Sequence, residues 1–230
     1  MKINADFDHR VVIHSQTMEW IDSPMPGVAR RPLDRVGDEI ARATSIVRYA
    51  PNSQFSPHVH TGGEEFLVLE GVFQDEHGDF PVGSYIRNPP QSSHTPGSKD
   101  GCVIFVKLWQ FDPNDRTHIQ RDTRAMHAAP HATKVGVSIV PLYSDEFEKV
   151  SIQHWAPHSK VTVNATNGLE VLVLEGEFTA FDDTLVTHSW IRLPIGSTFK
   201  TRTGIQGAKV WIKEGHLPLV DAQIDRVMSL

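Results

Sequence analysis

The sequence predicts an all-β protein built from two tandem barrels that are copies of one another. Three observations support this prediction: short runs rich in β-branched and aromatic residues, turn-forming residues between those runs, and segments that recur in order along the chain. Regularly spaced short strands separated by Gly, Pro, Asn and Asp are typical of sandwiches and barrels. Helical periodicity is weak except around residues 221–228, so we expect little helix.

The clearest predicted strands are short apolar runs at residues 45–49, 66–69, 85–86 and 103–108. Runs of this length, bounded by turn signals, fit strands that bury at least one face. A protein of 230 residues is long enough to bury a large core, either in one large β domain or in two small ones.

Five segments of the first half recur in the second half at an offset of 105 to 109 residues. The matched segments are Gly27-Val28 with Gly136-Val137, Tyr49-Ala50-Pro51 with Trp155-Ala156-Pro157, Leu67–Gly71 with Leu172–Gly176, Ser84–Arg87 with Ser189–Arg192, and Val106-Lys107 with Ile212-Lys213. A near-constant offset over five matches indicates an internal duplication. We expect a first barrel at 17–110, a polar linker at 111–125, a second barrel at 126–216 and a C-terminal tail at 217–230.

Composition excludes several classes of function. The net charge is −6 and the isoelectric point about 6.1, so the chain lacks the basic surface that nucleic-acid binding needs. The single cysteine, Cys102, excludes an internal disulfide and a cysteine-based zinc site. No run of about eighteen apolar residues occurs and the first residues lack a signal-peptide pattern, so we expect a cytoplasmic protein without membrane association.

The most informative motif is His58-Val59-His60 followed by Gly62-Gly63-Glu64, with His94 thirty residues further on. Residues i and i+2 of a strand point to the same face, so both histidines of the pair can approach one point. Glu64 begins the next strand after a Gly-Gly turn and can add a carboxylate. Three imidazoles and one carboxylate suit zinc, iron, manganese or nickel, and affinity order alone does not choose among these metals.

The second copy serves as an internal control for this motif. Sequence alignment places Asn164 and Thr166 against the histidine pair, Leu169 against Glu64 and Phe199 against His94. All four candidate ligands are absent together, so we predict that the second barrel binds no metal in this way.

The duplication also helps to choose between the adjacent residues Glu64 and Glu65. Pleat alternation sends the two side chains to opposite faces of the strand. Glu65 has a counterpart, Glu170, in the copy without histidines, whereas Glu64 disappears along with the histidines. We therefore predict that Glu64 is the ligand and that Glu65 has a structural role.

The histidine motif and the segment after it resemble the two-part signature of the cupin superfamily. The first part matches at His58, His60, Glu64 and Gly71, and the second part matches at Gly83, Pro89 and His94. Two positions depart from the usual pattern, because Gln91 replaces a glycine and Ser98 replaces an asparagine, but neither change removes a ligand. The resemblance implies that both halves are cupin barrels, which are double-stranded β-helices of the jelly-roll type.

Residues 62–107 are similar, more narrowly, to the cupin domain of ChrR-type anti-sigma factors. The matching segments are Gly62–Glu65, Leu67–Gly71, Asp75–Gly83, Arg87–Pro90 and Phe105–Lys107. The resemblance implies one bound metal, often zinc, and a part in sensing singlet oxygen or peroxides. This chain has no second cysteine and no helical N-terminal domain, so we expect no sigma-factor partner. The same branch also resembles small iron-dependent dioxygenases that cleave carbon–carbon bonds.

Three functions stay open at this point: a metal-binding sensor or small-ligand-binding protein, a mononuclear metal-dependent dioxygenase acting on dicarbonyl or hydroxylated aromatic compounds, and a metal-stabilised structural domain. Tyr85, Gln91 and Glu65 are candidates for a ligand pocket, Arg87 is expected at the surface, and no catalytic residue can be assigned. A small-molecule ligand or substrate and a homodimer are the partners that we consider.

Overall fold

The computed structural model describes residues 1–230, which form 22 β-strands, two 3₁₀ turns and one α-helix. The strands, numbered along the chain, are β1 (Lys2–Ile3), β2 (Val11–His14), β3 (Ile21–Asp22), β4 (Val28–Gly37), β5 (Ala41–Tyr49), β6 (Ser53–Gln54), β7 (His58–His60), β8 (Glu64–Asp75), β9 (Gly78–Pro81), β10 (Ser84–Asn88), β11 (Ser92–His94), β12 (Gly97–Ser98), β13 (Cys102–Leu108), β14 (Ile119–Asp122), β15 (Ala129–Pro130), β16 (Val137–Ser144), β17 (Lys149–Trp155), β18 (Lys160–Ala165), β19 (Leu169–Ala180), β20 (Asp183–Val186), β21 (Ser189–Leu193) and β22 (Ser197–Glu214). The helix, α1, spans Val220–Met228.

The chain divides into two compact units. Unit 1 contains Met1–Ala5, Met18–Arg124 and Asp221–Leu230, and unit 2 contains Asp6–Thr17 and Ala125–Val220. In addition to one continuous half of the chain, unit 1 therefore takes two short terminal segments and unit 2 takes one.

Unit 1 contains antiparallel strands in the order β1-β4-β5-β13-β8-β10-β14, with β9 and β12 also pairing with β8. Strands β7 and β11 form a separate two-stranded ladder. Phe66, Ile86, Ile104 and Val106 from the central strands point inward and form the core of this unit. Their neighbours along each strand point to the opposite face, in keeping with the two-residue period of a strand.

Unit 2 repeats the same arrangement. Its strands follow the order β15-β16-β17-β22-β19-β21-β2, with β18 on β22 and β20 on β19. The long strand β22 occupies the place that β11, β12 and β13 share in unit 1. A register shift also recurs, between Pro32 and Asp34 in β4 and between Pro141 and Tyr143 in β16. The predicted all-β fold with two duplicated jelly-roll barrels is confirmed.

Strand β8 contains a bulge that changes which side chains face the core. Against β13, Val68 pairs with Ile104 and Glu70 pairs with Val103, so Leu69 is an extra residue on β8. An extra residue in one strand shifts the side-chain alternation by one position.

The bulge determines the orientation of the second half of β8. Phe66 and Val68, which precede the bulge, face the core. Phe73, which follows the bulge, also faces the core, and all three residues belong to one apolar cluster. Asp75 lies two residues beyond Phe73 and is therefore on the same inner face. Without the bulge, regular alternation from Glu64 would put Asp75 on the opposite face.

Regular structure also occurs in the expected linker and in the expected tail, in the tail where the sequence shows helical periodicity. Within the expected linker, β14 pairs with β10, where Ile119 lies opposite Arg87. In the expected tail, α1 begins at Val220, and its buried residues Gln223 and Val227 belong to unit 1. No helix in the chain is long and apolar enough to cross a bilayer.

Candidate metal centre

The β7–β11 ladder brings two of the predicted ligands together. His58 pairs with His94 across the two strands, and Ser92 pairs with His60. Because His58 and His60 are two residues apart on β7, both imidazoles lie on the face from which His94 also projects. The ring centroids are 4.6 to 5.0 Å apart for the three pairs of histidines.

A tight turn places Glu64 next to the histidines. Gly63 has a φ of +79°, which favours glycine, and a Cβ at Gly62 or Gly63 would collide with the ring of Trp109 or Phe111. The Gly63 amide donates to the His60 carbonyl at 3.2 Å and closes the turn. Glu64 is thus the first residue of β8, on the inner face of the sheet.

The donor atoms are spaced as ligands of one ion would be. The Nε2 atoms of His60 and His94 are 3.0 Å apart, and Oε2 of Glu64 lies 3.3 Å from the first and 3.7 Å from the second. Ligands bound at about 2.1 Å to one metal are separated by ~3.0 Å at right angles and by ~3.4 Å in a tetrahedron. Donor atoms of His58, His60 and His94 all lie within 4.8 Å of one another, so the three histidines fit a metal site.

The four predicted ligands differ in their exposure. His60, Glu64 and His94 are buried, whereas His58 is exposed at the edge of the cluster. The Nδ1 atom of His58 is 3.3 Å from the Ser56 carbonyl oxygen. A proton on Nδ1 would satisfy this contact and leave Nε2 free to bind a metal. Solvent can reach the site from the side of His58.

Asp75 is a site residue that the sequence analysis missed. Its Oδ2 atom is 3.1 Å from Nδ1 of His94, and its side chain is only 6% exposed. Burial alone would lower the pKa of His94, but the hydrogen bond to Asp75 and the nearby charge of Glu64 together raise that pKa. Asp75 has a lowered pKa because its bonds to His94 and to the His77 amide outweigh the effect of burial, and it is therefore a carboxylate at neutral pH.

Burial affects the charge of His60, and a hydrogen bond fixes the position of Glu64. Burial lowers the pKa of His60, and the attraction of Glu64 offsets this effect only in part. A neutral imidazole is the form that binds metals. Asn88, on β10, donates to Oε2 of Glu64 at 3.2 Å and restrains the carboxylate.

The candidate pocket residues do not join the histidine cluster. Tyr85 donates to Oε1 of Glu65 at 2.7 Å, and both side chains are buried on the face of the sheet opposite Glu64. Gln91 is exposed in a turn and has a φ of +74°, which explains why related motifs carry a glycine there.

The expectation that Arg87 lies at the surface is wrong. Arg87 is 2% exposed, forms an ion pair with Asp115, and stacks on the ring of Phe111 at 4.0 Å. Both partners belong to the segment that was expected to be a linker, so the sequence pattern around Arg87 carried no sign of them.

Unit 2 has apolar side chains where unit 1 has its histidines. In the β18–β22 ladder, Phe199 pairs with Val163, which corresponds to the pair of His94 and His58 in unit 1. Likewise, Ala165 pairs with Ser197, which corresponds to the pair of His60 and Ser92. The equivalents of the histidine pair are therefore Val163 and Ala165.

This corrects the alignment against Asn164 and Thr166, two exposed residues one position further on. Alternation explains the error, because a slip of one residue exchanges the two faces of a strand. The residues at the four ligand positions all lie in one buried apolar cluster; they are Val163, Ala165, Leu169 and Phe199.

Comparison with known proteins supports the cupin resemblance. The sequence profile of the ChrR cupin-like domain matches residues 8–112. This segment is therefore similar to the ChrR cupin-like domain. The matched segment includes all four predicted ligands and covers a little under half of the chain. A comparison with curated sequences finds no match.

Solved structures share the fold across most of the chain. A candidate dioxygenase from Nostoc punctiforme is 17% identical with a TM-score of 0.75, covering 91% of this chain and 84% of its own. A bacterial pirin from Escherichia coli in complex with nickel(II) is 11% identical with a TM-score of 0.64, covering 90% and 98%. An oxalate decarboxylase–formate complex from Lactobacillus farciminis is 9% identical with a TM-score of 0.64, covering 89% and 86%. At these identities the likeness concerns the cupin fold alone.

Proposed function

We propose that unit 1 binds one divalent metal ion through His58, His60, Glu64 and His94. The observation that carries this proposal is the convergence of three imidazoles and one carboxylate, with the closest donor atoms 3.0 to 3.7 Å apart. Zinc and iron suit this donor set, and manganese and nickel are compatible with it. Such an ion would supply Lewis acidity and, if redox-active, a path for electrons.

Metal analysis by mass spectrometry on protein purified without oxygen tests this proposal. We expect about one metal ion per chain in the wild type and severe loss in His94→Ala and His58→Ala. His77→Ala is the matched control, because His77 is an exposed histidine in the β8–β9 turn. Full metal occupancy in both ligand variants would contradict the proposed site.

We infer that the centre serves a sensory function related to oxidants rather than a purely structural one. The ChrR cupin-like match supports this inference, and so does the exposure of His58, which leaves one ligand open to small molecules. Asp75 and Asn88, which contact the ligands, are engaged in holding them and do not form a separate acid–base pair. Detachment of the exposed ligand would loosen the β7–β11 ladder, which is a structural change that a partner could detect.

Exposure to hydrogen peroxide or photochemically generated singlet oxygen tests the sensory function. We expect loss of metal and faster amide exchange in β7 and β11, with little early modification of Cys102. Cys102 is buried, and burial raises the pKa of its thiol to about 11, so little reactive thiolate is present. Early oxidation mainly at Cys102, with an unchanged metal centre, would refute the sensory function.

A dioxygenase is the second candidate function. The likeness to the Nostoc punctiforme protein supports it, as does a donor set that comes from one side and leaves coordination positions free. Oxygen uptake by the iron-loaded protein with dicarbonyl or hydroxylated aromatic compounds is the test. Uptake that depends on substrate and disappears in His94→Ala would favour the enzyme; no uptake with iron bound would leave the sensory proposal.

A further inference from the structure

The inner end of strand β8 carries a carboxylate that no ligand motif includes. Asp75 lies eleven residues after Glu64, yet the bulge at Leu69 turns both side chains to the same face of the strand. Its Oδ2 atom meets the Nδ1 side of the His94 ring, whereas Nε2 on the other side of the ring faces His60 and Glu64. Asp75 thus contacts His94 from behind and does not join the donor cluster.

This geometry selects one tautomer of His94. A carboxylate only accepts hydrogen bonds, so the neutral imidazole must carry its proton on Nδ1 to bond with Asp75. Its Nε2 atom then has a free lone pair aimed at the cluster. Carboxylate–histidine pairs of this kind orient metal ligands and increase their basicity.

The tip of the β8–β9 hairpin holds the backbone around His94 as well. Glu76 accepts from the Thr95 amide at 2.7 Å, and Gln74 accepts from the Lys99 amide at 2.8 Å. Asp75 is anchored in turn, because its Oδ1 atom accepts from the His77 amide at 2.7 Å. The carboxylate that faces His94 is therefore fixed by the hairpin.

We propose that Asp75 is a positioning residue, which fixes the tautomer and ring orientation of His94 so that its Nε2 atom can bind the metal. The metal-binding part of this inference rests on the proposed function. The tautomer of His94 in the metal-free protein does not depend on that function and can be measured separately.

Two readouts test the role of Asp75. The first is the ¹⁵N NMR spectrum of the histidine side chains in metal-free protein, followed to a pH high enough that His94, whose pKa is raised, has lost its charge. We expect His94 to carry its proton on Nδ1 in the wild type, and Asp75→Ala to shift it toward Nε2. The second is the dissociation constant for zinc, measured by competition with a chelator.

The matched control is Glu70→Gln, which removes an exposed carboxylate from the same strand, β8, outside the histidine cluster. We expect Asp75→Asn and Asp75→Ala to weaken zinc binding by roughly 10- to 100-fold, as loss of such partners does elsewhere. Glu70→Gln should change the dissociation constant by less than about threefold. Circular dichroism would establish that the variants are folded.

The outcomes separate this inference from the proposed function. If the wild type binds zinc and both Asp75 variants bind it equally well with the Nδ1 tautomer unchanged, the positioning role is refuted while the metal site stands. If the wild type binds no metal but Asp75→Ala still changes the His94 tautomer, the proposed function fails and the orienting contact is confirmed. Equal weakening by Glu70→Gln would assign the effect to a general loss of negative charge on β8 and refute a specific role for Asp75.

Discussion

Two adjacent carboxylates, Glu64 and Glu65, have opposite surroundings because one peptide unit separates the two faces of a strand. Glu64 faces His60 and His94, whereas Glu65 accepts a hydrogen bond from Tyr85 on the other face. Both side chains are buried, so exposure does not distinguish them. Only the direction of the side chain indicates which of them can bind a metal.

The pair provides a sharp test with almost identical chemistry. Glu64→Gln should reduce the metal content well below that of the wild type, because it removes the anionic donor. Glu65→Gln should keep the metal content nearly unchanged and lower the free energy of unfolding by about 1–3 kcal/mol through the altered bond to Tyr85. Metal analysis and urea unfolding of both variants would check this prediction; the reverse pattern of metal loss would make Glu65 the ligand.

Residues that project by simple alternation could be predicted from the sequence, and those that depend on a distortion or a distant contact could not. Pleat geometry was sufficient for the histidine pair, and the comparison of the two copies was needed for the choice of Glu64 over Glu65. Asp75 was missed because the bulge at Leu69 reverses the alternation beyond it. The partner of Arg87 was missed because Asp115 lies 28 residues away in sequence.

At the scale of elements, the segment after β13 is part of unit 1 rather than a passive connection. Strand β14 extends the sheet beside β10, and Asp115 forms a buried ion pair with Arg87. Phe111 links this segment to the predicted metal centre, because its ring contacts both the Arg87 guanidinium and Gly63 of the turn before Glu64. The segment therefore supports the turn that places a predicted ligand.

The ion pair predicts a pH dependence of stability. Burial would raise the pKa of Asp115, but the Arg87 guanidinium outweighs burial and lowers that pKa below its ordinary value. A carboxyl whose pKa is lower in the folded state than in the unfolded state stabilises the folded protein. This contribution is complete above the pKa of the unfolded state, about 3.9, and disappears as the pH falls through the pKa of the folded state.

We expect Asp115→Asn to be about 2 kcal/mol less stable than the wild type at pH 7. The difference should shrink below about pH 4, where the wild-type carboxyl also becomes protonated. Urea unfolding between pH 3 and pH 7 measures this. A difference that stays constant over that range would show that the charge of Asp115 does not contribute.

At the scale of the whole molecule, unit 1 depends on residues from the far end of the sequence. Gln223 accepts from Nε of Arg42 at 2.9 Å, and Arg226 donates to the Phe111 carbonyl at 2.6 Å. Val227 is 6% exposed and lies against Gly37. Helix α1 is thus a structural part of the unit that carries the predicted metal centre.

Two neighbouring positions of α1 test this dependence. Val227→Asp should destabilise unit 1 by about 3 kcal/mol, because it buries a charge, whereas Met228→Asp should have little effect, because Met228 is 64% exposed. Hydrogen exchange would locate the effect, with faster exchange expected in β4 and β5 for Val227→Asp. Equal exchange in both variants would mean that α1 contributes little to unit 1.

The division of the chain into units has a consequence for its synthesis on the ribosome. Residues 11–14 leave the ribosome early, yet their partner strand is formed by residues 189–192. Unit 1 likewise lacks its helix until residues 221–230 have been made. Unit 1 therefore cannot acquire its full set of contacts while its own half of the chain emerges, whereas in unit 2 it is the early strand β2 that must wait for its partner.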